Sequence, residues 1–166
     1  AEAGLAYHAL RGPYGIECSP AYKGRDGART PMPWDADAPH GGFSAVEPWL
    51  PVPHAHLQRA VSVQQRMPGS PLNRLRLFLN WRKHQRELRA GEMIFHDTEE
   101  PVLGLSRRLD GSAICCLFNL GPEEMRVKID AGICGRALEG HGFGCHAEDG
   151  CLHLPAWGAW FGRTAA

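Results

Sequence analysis

Lys23-Gly24-Arg25-Asp26-Gly27-Ala28-Arg29-Thr30-Pro31-Met32-Pro33-Trp34 is the densest run of constrained and charged residues in the chain. Gly24 and Gly27 free the backbone for a tight turn. Pro31 and Pro33 then stiffen it and forbid a continuing helix or a central strand. The loop so defined presents two guanidinium groups, Arg25 and Arg29, one carboxylate, Asp26, and an aromatic end-stop, Trp34. Arg offers five fixed donors and keeps its charge, so it can bracket vicinal hydroxyls or a carboxylate; Asp accepts from sugar hydroxyls or orients a neighbouring Arg. On the residues alone, the loop either holds a polar ligand or ties its own turns together through buried hydrogen bonds, and the second is the more ordinary use of such groups.

Outward from the loop, residues 1–22 show little periodicity. Leu5, Tyr7 and Leu10 fit a short helix, and Gly12-Pro13-Tyr14-Gly15 is expected to break any regular element. Residues 35–56 are crowded with Asp35, Asp37, Pro39, Gly41, Gly42, Pro48, Pro51 and Pro53. They read as a long connection, and connections of that length are usually functional or part of a larger assembly. Phe43, Trp49 and Leu50 argue that it is packed rather than disordered. Leu57, Ala60 and Val61 carry a helical pattern over 55–66, ended by Pro68-Gly69. Ser70 as N-cap and Pro71 as first helical residue open the strongest helix, 71–90, with an apolar stripe of Leu72, Leu75, Phe78 and Leu79 and with Gly91 as its stop. Its basic residues, Arg74, Arg76, Arg82, Lys83 and Arg86, read as a solvated face.

From Glu92 the pattern changes from helix to strand. Candidate strands are 93–95, 102–107, 113–119, 125–129, 135–138, 151–154 and 158–161. Asp110-Gly111, Gly121-Pro122, Glu139-Gly140 and Asp149-Gly150 separate them, and Asp-Gly between strand-like runs is a strong hairpin cue. Short strands at roughly 8–12-residue spacing suggest an antiparallel sandwich or barrel that leans on the preceding helix for its core.

Composition narrows the function classes. In the 166 residues, 18 basic and 18 acidic side chains cancel, which argues against non-specific nucleic-acid binding. No apolar run is long enough for a transmembrane helix. Ala1-Glu2-Ala3-Gly4 is neither a start methionine nor a signal peptide, so a piece of a longer protein, or a processed product, is expected. The six Cys lack C-x-x-C spacing, and Cys115 and Cys116 would face opposite sides of a strand. Buried or incidental thiols in a reducing, cytoplasmic compartment are expected, with no metal and no cofactor.

Nucleophile signatures are missing: Gly-x-Ser-x-Gly is absent. Gly140-His141-Gly142-Phe143-Gly144 lacks the Lys-Ser/Thr of a phosphate loop and reads as a tight turn. Asp35 with Asp37 and Glu99 with Glu100 are the local carboxylate pairs, and both read better as turn or solvated residues than as a glycosidase couple.

The loop nevertheless has a recognisable setting. Gly24 to Trp34, followed by Gly41-Gly42-Phe43-Ser44 and Pro48-Trp49-Leu50-Pro51-Val52, strongly resembles α-glucosidases of the α-amylase superfamily, the oligo-1,6-glucosidase type within glycoside hydrolase family 13. Gly12-Pro13-Tyr14-Gly15 and the closing Leu154-Pro155-Ala156-Trp157-Gly158-Ala159-Trp160-Phe161 resemble the same family, so the likeness covers essentially the whole chain. One departure is Gly12, where the family often has Asp.

The resemblance implies an α+β fragment: the end of a (β/α)₈ barrel over residues 1–90, comprising an active-site loop and the last helices, then a C-terminal antiparallel β-sandwich over 91–166. It implies a parent enzyme that hydrolyses terminal α-linked glucose from short oligosaccharides or α-glucosides with retention. The family's catalytic carboxylates lie upstream of this motif, so no catalytic residue is expected here and the fragment alone should be inactive. By position in the motif, Arg25 corresponds to the Arg that reaches the sugar in subsite −1, while Asp26, Arg29 and Trp34 fall at positions of loop support. The expected partner is a small α-glucoside or oligosaccharide, not nucleic acid or membrane. Preference for α-1,4 or α-1,6 linkages, and hydrolysis or transglucosylation, stay open. A reading of another class is a stand-alone β-domain that binds carbohydrate or a partner protein, for which saturable binding of maltose or isomaltose is the discriminating observation.

Overall fold

The structure, a computed structural model, describes residues 3–128 and 135–165. Ala1, Glu2, the expected strand end at Ile129, and Cys134 lie outside the described residues. Contacts divide the chain into two compact units, Ala1–Arg74 and Leu75–Ala166. Among the described residues no helix is long and apolar enough to cross a membrane.

The first unit is built from short turns and helices rather than from a regular layer. Leu5, Leu10 and Leu50 form its buried apolar cluster. The helix expected around Leu5, Tyr7 and Leu10 is only a 3₁₀ turn at Tyr7–Ala9. Leu5 and Leu10 flank that turn and point inward, while Tyr7 is exposed. Gly12-Pro13-Tyr14-Gly15 does not break structure as expected. It opens helix α1, Pro13–Glu17, because Pro13 at the first turn has no N–H to lose and its φ is already helical. The pattern over 55–66 resolves into α2, His54–Leu57, and α3, Val61–Arg66, interrupted at Ala60, whose ψ of 152° is extended.

Helix α4, Pro71–Lys83, starts where the sequence places it. The Ser70 hydroxyl accepts the Asn73 N–H at 3.2 Å and donates to the Gln64 carbonyl at 2.8 Å. The expected single helix over 71–90 is two: α4 stops at Lys83, and α5 runs from Arg86 to Ala90. Gln85 between them is extended, with φ −100° and ψ 100°. Its amide oxygen accepts from Arg163 Nη2 at 2.7 Å, and Arg82 Nη2 caps the Leu88 carbonyl at 3.1 Å. The break rotates Glu87 and Leu88 into buried positions. It also changes which face of α4 matters in the second unit: Phe78 and Trp81 pack on the strands, while Leu75 and Leu79 of the expected stripe stay exposed.

The second unit holds two antiparallel sheets. Strands β1 (Glu92–His96), β2 (Val102–Leu109), β3 (Ser112–Asn119), β5 (Arg136–Ala137) and β8 (Ala159–Ala165) form one, in the order β1-β2-β3-β8-β5. Strands β4 (Met125–Lys128), β6 (His146–Glu148) and β7 (Cys151–Leu154) form the other, in the order β4-β7-β6. Strand β6 is absent from the sequence expectation, and β8 runs further than the expected 158–161. The β2–β3 and β6–β7 hairpins turn at Asp110-Gly111 and Asp149-Gly150. All four residues have positive φ, the geometry of the type I′ turn that matches strand twist.

Strand β3 is buried on both faces, and its alternation sorts its side chains into two cores. Cys115 and Leu117 join Val102, Trp160, Leu152 and Leu154 on the side of the small sheet. Ile114 and Cys116 join Ala159, Phe161 and Leu88 on the side of the helices, where Phe78 and Trp81 pack against them. The adjacent cysteines thus face opposite ways, as strand geometry requires. Burial pushes the Cys116 thiol up to about 12, moderated by the Arg107 charge, and the Cys145 thiol up to about 11. Both are therefore protonated, unreactive thiols at neutral pH.

Candidate functional site

The charged loop is held from below by Asp26. Its side chain is fully buried, at the start of a 3₁₀ turn spanning Asp26–Ala28. Oδ2 accepts the backbone N–H of Arg11 at 2.6 Å and that of Gly12 at 2.7 Å. The Gly12 and Arg11 donors hold the Asp26 carboxyl below the usual carboxylate range. They outweigh the upward pull of burial, and the Arg29 and Arg11 charges add to them. Oδ1 is buried and has no hydrogen-bond partner among the described residues. A Cβ added to Gly12 would lie 3.1 Å from that Oδ1.

Two further glycines set the height of the loop. Gly24 has φ +71° and passes directly over Gly15 of α1. Beside this crossing Tyr14 and Tyr22 pack edge to face, with ring centroids 5.4 Å apart. Lys23 reaches back to donate to the Leu5 carbonyl at 3.2 Å. Downstream, Trp34 is anchored by its main chain, its N–H donating to Gly41 O at 2.7 Å and its carbonyl accepting from Ser62 at 2.9 Å.

This scaffolding leaves Arg25 and Arg29 exposed. Both line an open groove of about 320 Å³ with Tyr14, Tyr22 and Asp26, and both line the neighbouring hollow formed with Lys23 and Ala28. The structure thus brings Arg25, Asp26 and Arg29 to one place. It keeps Trp34 out of that groove, with its indole about half exposed. Tyr14 and Tyr22 in the groove, and Lys23 in the neighbouring hollow, are lining residues that sequence reasoning missed. Two tyrosines shortly before the Gly-Arg-Asp turn were the available signal, since aromatic faces beside a guanidinium suit a polar ring. Chemically, the groove offers two permanent cations and aromatic walls, with no free carboxylate pair to perform acid–base work.

Residues 10–91, which contain the loop and its anchors, match the α-amylase catalytic domain family. Over 165 residues it is 44% identical to the "Probable alpha-glucosidase" of Rhizobium meliloti (strain 1021), covering 99% of this chain and 30% of that protein. It is 40% identical over 62 residues to the oligo-1,6-glucosidase of Parageobacillus thermoglucosidasius, 37% of this chain and 11% of that one. The crystal structure of the alpha-glucosyl transfer enzyme XgtA superposes with a TM-score of 0.85 at 38% identity, over 98% of this chain and 30% of that chain. The chain therefore spans about 30% of the length of these near relatives where the match is complete.

Proposed function

We propose that this chain is the C-terminal part of a retaining α-glucosidase that removes terminal α-linked glucose from short oligosaccharides or α-glucosides. In this reading residues 1–90 close a (β/α)₈ barrel and residues 91–166 form a C-terminal β-sandwich. The supporting observation is the placement of Arg25: an exposed guanidinium over an aromatic-walled groove, on a backbone pinned by the buried carboxylate next to it. Barrel enzymes build their sites from the loops at the C-terminal ends of the strands, where a rigid, Arg-bearing loop belongs.

Arg25 then donates to hydroxyls at the non-reducing end of the bound sugar and closes the pocket to longer chains. Asp26, Arg29 and Trp34 hold the loop. The nucleophile that forms the covalent glycosyl intermediate, and the acid that protonates the leaving oxygen, come from the remainder of the enzyme. No cofactor takes part. The exposed Tyr14, Trp49, Leu75 and Leu79 are apolar groups that the rest of the barrel would cover. The location proposed is cytoplasmic, supported by the free thiols among the described residues, Cys115 and Cys116 buried and Cys18, Cys145 and Cys151 partly so.

The test is a chromogenic α-glucoside assay. The full-length enzyme hydrolyses the substrate, and Arg25→Ala lowers its kcat/KM roughly 10- to 150-fold, the worth of charged-donor hydrogen bonds of about 1.5–3 kcal/mol. The 166-residue chain alone shows no turnover; turnover by it would sink the assignment.

A further inference from the structure

The second face of the small sheet carries a set of donors that the glucosidase reading does not use. His146 and Glu148 alternate on β6, so they share one face, and His153 stands directly across from His146 on β7. The two imidazoles stack at 4.5 Å with planes 14° apart. Ligand atoms of His146, Glu148 and His153 all lie within 4.8 Å of one another. The type I′ turn at Asp149-Gly150 fixes this register.

His153 is also prepared as a ligand. Its side chain is only 12% exposed, and Nδ1 meets Glu124 Oε1 at 3.2 Å. A carboxylate on Nδ1 selects the tautomer with the proton there and leaves the Nε2 lone pair available, the arrangement that orients metal-binding histidines. Nε2 is buried and has no hydrogen-bond partner among the described residues. A buried nitrogen lone pair without a donor is a cost unless something fills it.

We propose that the β6–β7 hairpin carries a divalent-metal site of zinc type, with His146, Glu148 and His153 as its protein ligands and solvent completing the shell. Two imidazoles and a carboxylate are a borderline donor set that suits Zn²⁺ over Ca²⁺ or Mg²⁺. Ligands about 2.0–2.2 Å from a tetrahedral ion stand roughly 3.4 Å apart. Closing from the observed spacing takes small rotations of His146 and Glu148, both exposed and free to make them. Arg126 and Lys128 on β4 pair with His153 and Cys151 and share the face. Their charge opposes a cation, and their exposed side chains extend into water, which sets a moderate rather than a tight affinity.

Calorimetric titration of the purified protein, free of any histidine tag, with zinc chloride at neutral pH tests the site. The expected result is one saturable zinc per chain, at least tenfold weaker in His146→Ala and in Glu148→Gln, and about tenfold weaker in Glu124→Gln, which touches only the orienting carboxylate. His146 and Glu148 are exposed, so circular dichroism should show their variants folded even if His153→Ala is not. Absence of saturable binding overturns the site. So does undiminished affinity in His146→Ala, which would place the zinc elsewhere on the chain. All the residues involved lie in the second unit, whereas Arg25 belongs to the first, so the outcome is independent of the glucosidase assay.

Discussion

Gly15 and Gly24 meet backbone to backbone. A Cβ on Gly15 would lie 2.5 Å from the Lys23 carbonyl oxygen, and one on Gly24 3.0 Å from the Gly15 Cα. Neither neighbour is a flexible side chain, so Gly15→Ala must push α1 away from the loop. Overpacking of this kind costs about 1–3 kcal/mol. Denaturant unfolding should register that loss, whereas Gly69→Ala, where a Cβ meets nothing within 4 Å, should be close to neutral. On the proposed glucosidase reading, Gly15→Ala in the full-length protein is expected to raise KM for an α-glucoside, because Arg25 follows Gly24 directly.

The Asp26 carboxylate is the main support of the turn that carries Arg25, and its two donors give a local readout. Asp26→Leu removes the acceptor of the Arg11 and Gly12 amides. Hydrogen exchange at those two amides should accelerate strongly, with little change in the β-strands of the second unit. The folded pKa of Asp26 lies below its unfolded value of 3.8. Protection of the two amides is therefore full above that value and lost as pH falls through the lower, folded one. Exchange at Arg11 and Gly12 that is indifferent to the substitution would remove Asp26 from this role.

Acid should also act on the second unit in two separable windows. His141 is buried, and desolvation lowers its pKa from 6.5 despite a backbone interaction at Leu138 that raises it. Its folded pKa is depressed, so the unfolded chain binds the proton first and stability declines as pH falls below 6.5. Glu87 is pulled up by burial, but its own backbone N–H, the Ser112 hydroxyl and Arg163 bring it below 4.5. Its contribution is complete above 4.5 and vanishes as pH falls through the folded value. His141→Asn, which keeps an acceptor for the Phe143 N–H, should flatten the upper window of a Tm-against-pH curve. Glu87→Gln should flatten only the lower one. At neutral pH Glu87→Gln is expected to cost about 1–2 kcal/mol, kept small because Arg163 is 41% exposed and solvent screens the pair.

Phe161 stands at the centre of the helix-side core. Its ring lies 4.9 Å from Trp81, 5.0 Å from His141, and under 6 Å from Phe78 and Phe118. Phe161→Ala should destabilise the second unit by about 3–5 kcal/mol, measured by chemical denaturation. Phe118→Ala, at the edge of the same cluster and partly exposed, should cost less.

Hairpins and caps were legible because each depends on neighbours in sequence. Asp110-Gly111, Asp149-Gly150 and Ser70-Pro71 act where they stand. The helix break at Gln85 was not legible, because it answers to Arg163 on the last strand. Strand β6 was missed for a related reason: His146-Ala147-Glu148 is exposed throughout, so no apolar alternation marks it, and only pairing with β7 makes it a strand. The loss mattered, since two of the proposed zinc ligands sit on that strand. At the groove, the charged loop announced Arg25, Asp26 and Arg29 by density alone. Asp26 was read as loop support, but its partners, Arg11 and Gly12, were not legible because they lie in an upstream segment of little periodicity.

The two-faced burial of β3 has a practical consequence for anyone dividing this polypeptide. With Cys115 and Leu117 serving one core and Ile114 and Cys116 the other, the central sheet needs coverage on both sides. An excision starting at Gly91, where the strand pattern begins, would strip Phe78, Trp81 and Leu88 from it and expose a greasy surface prone to aggregation. A soluble portable version should begin upstream of Leu75, carrying its two helices as cargo.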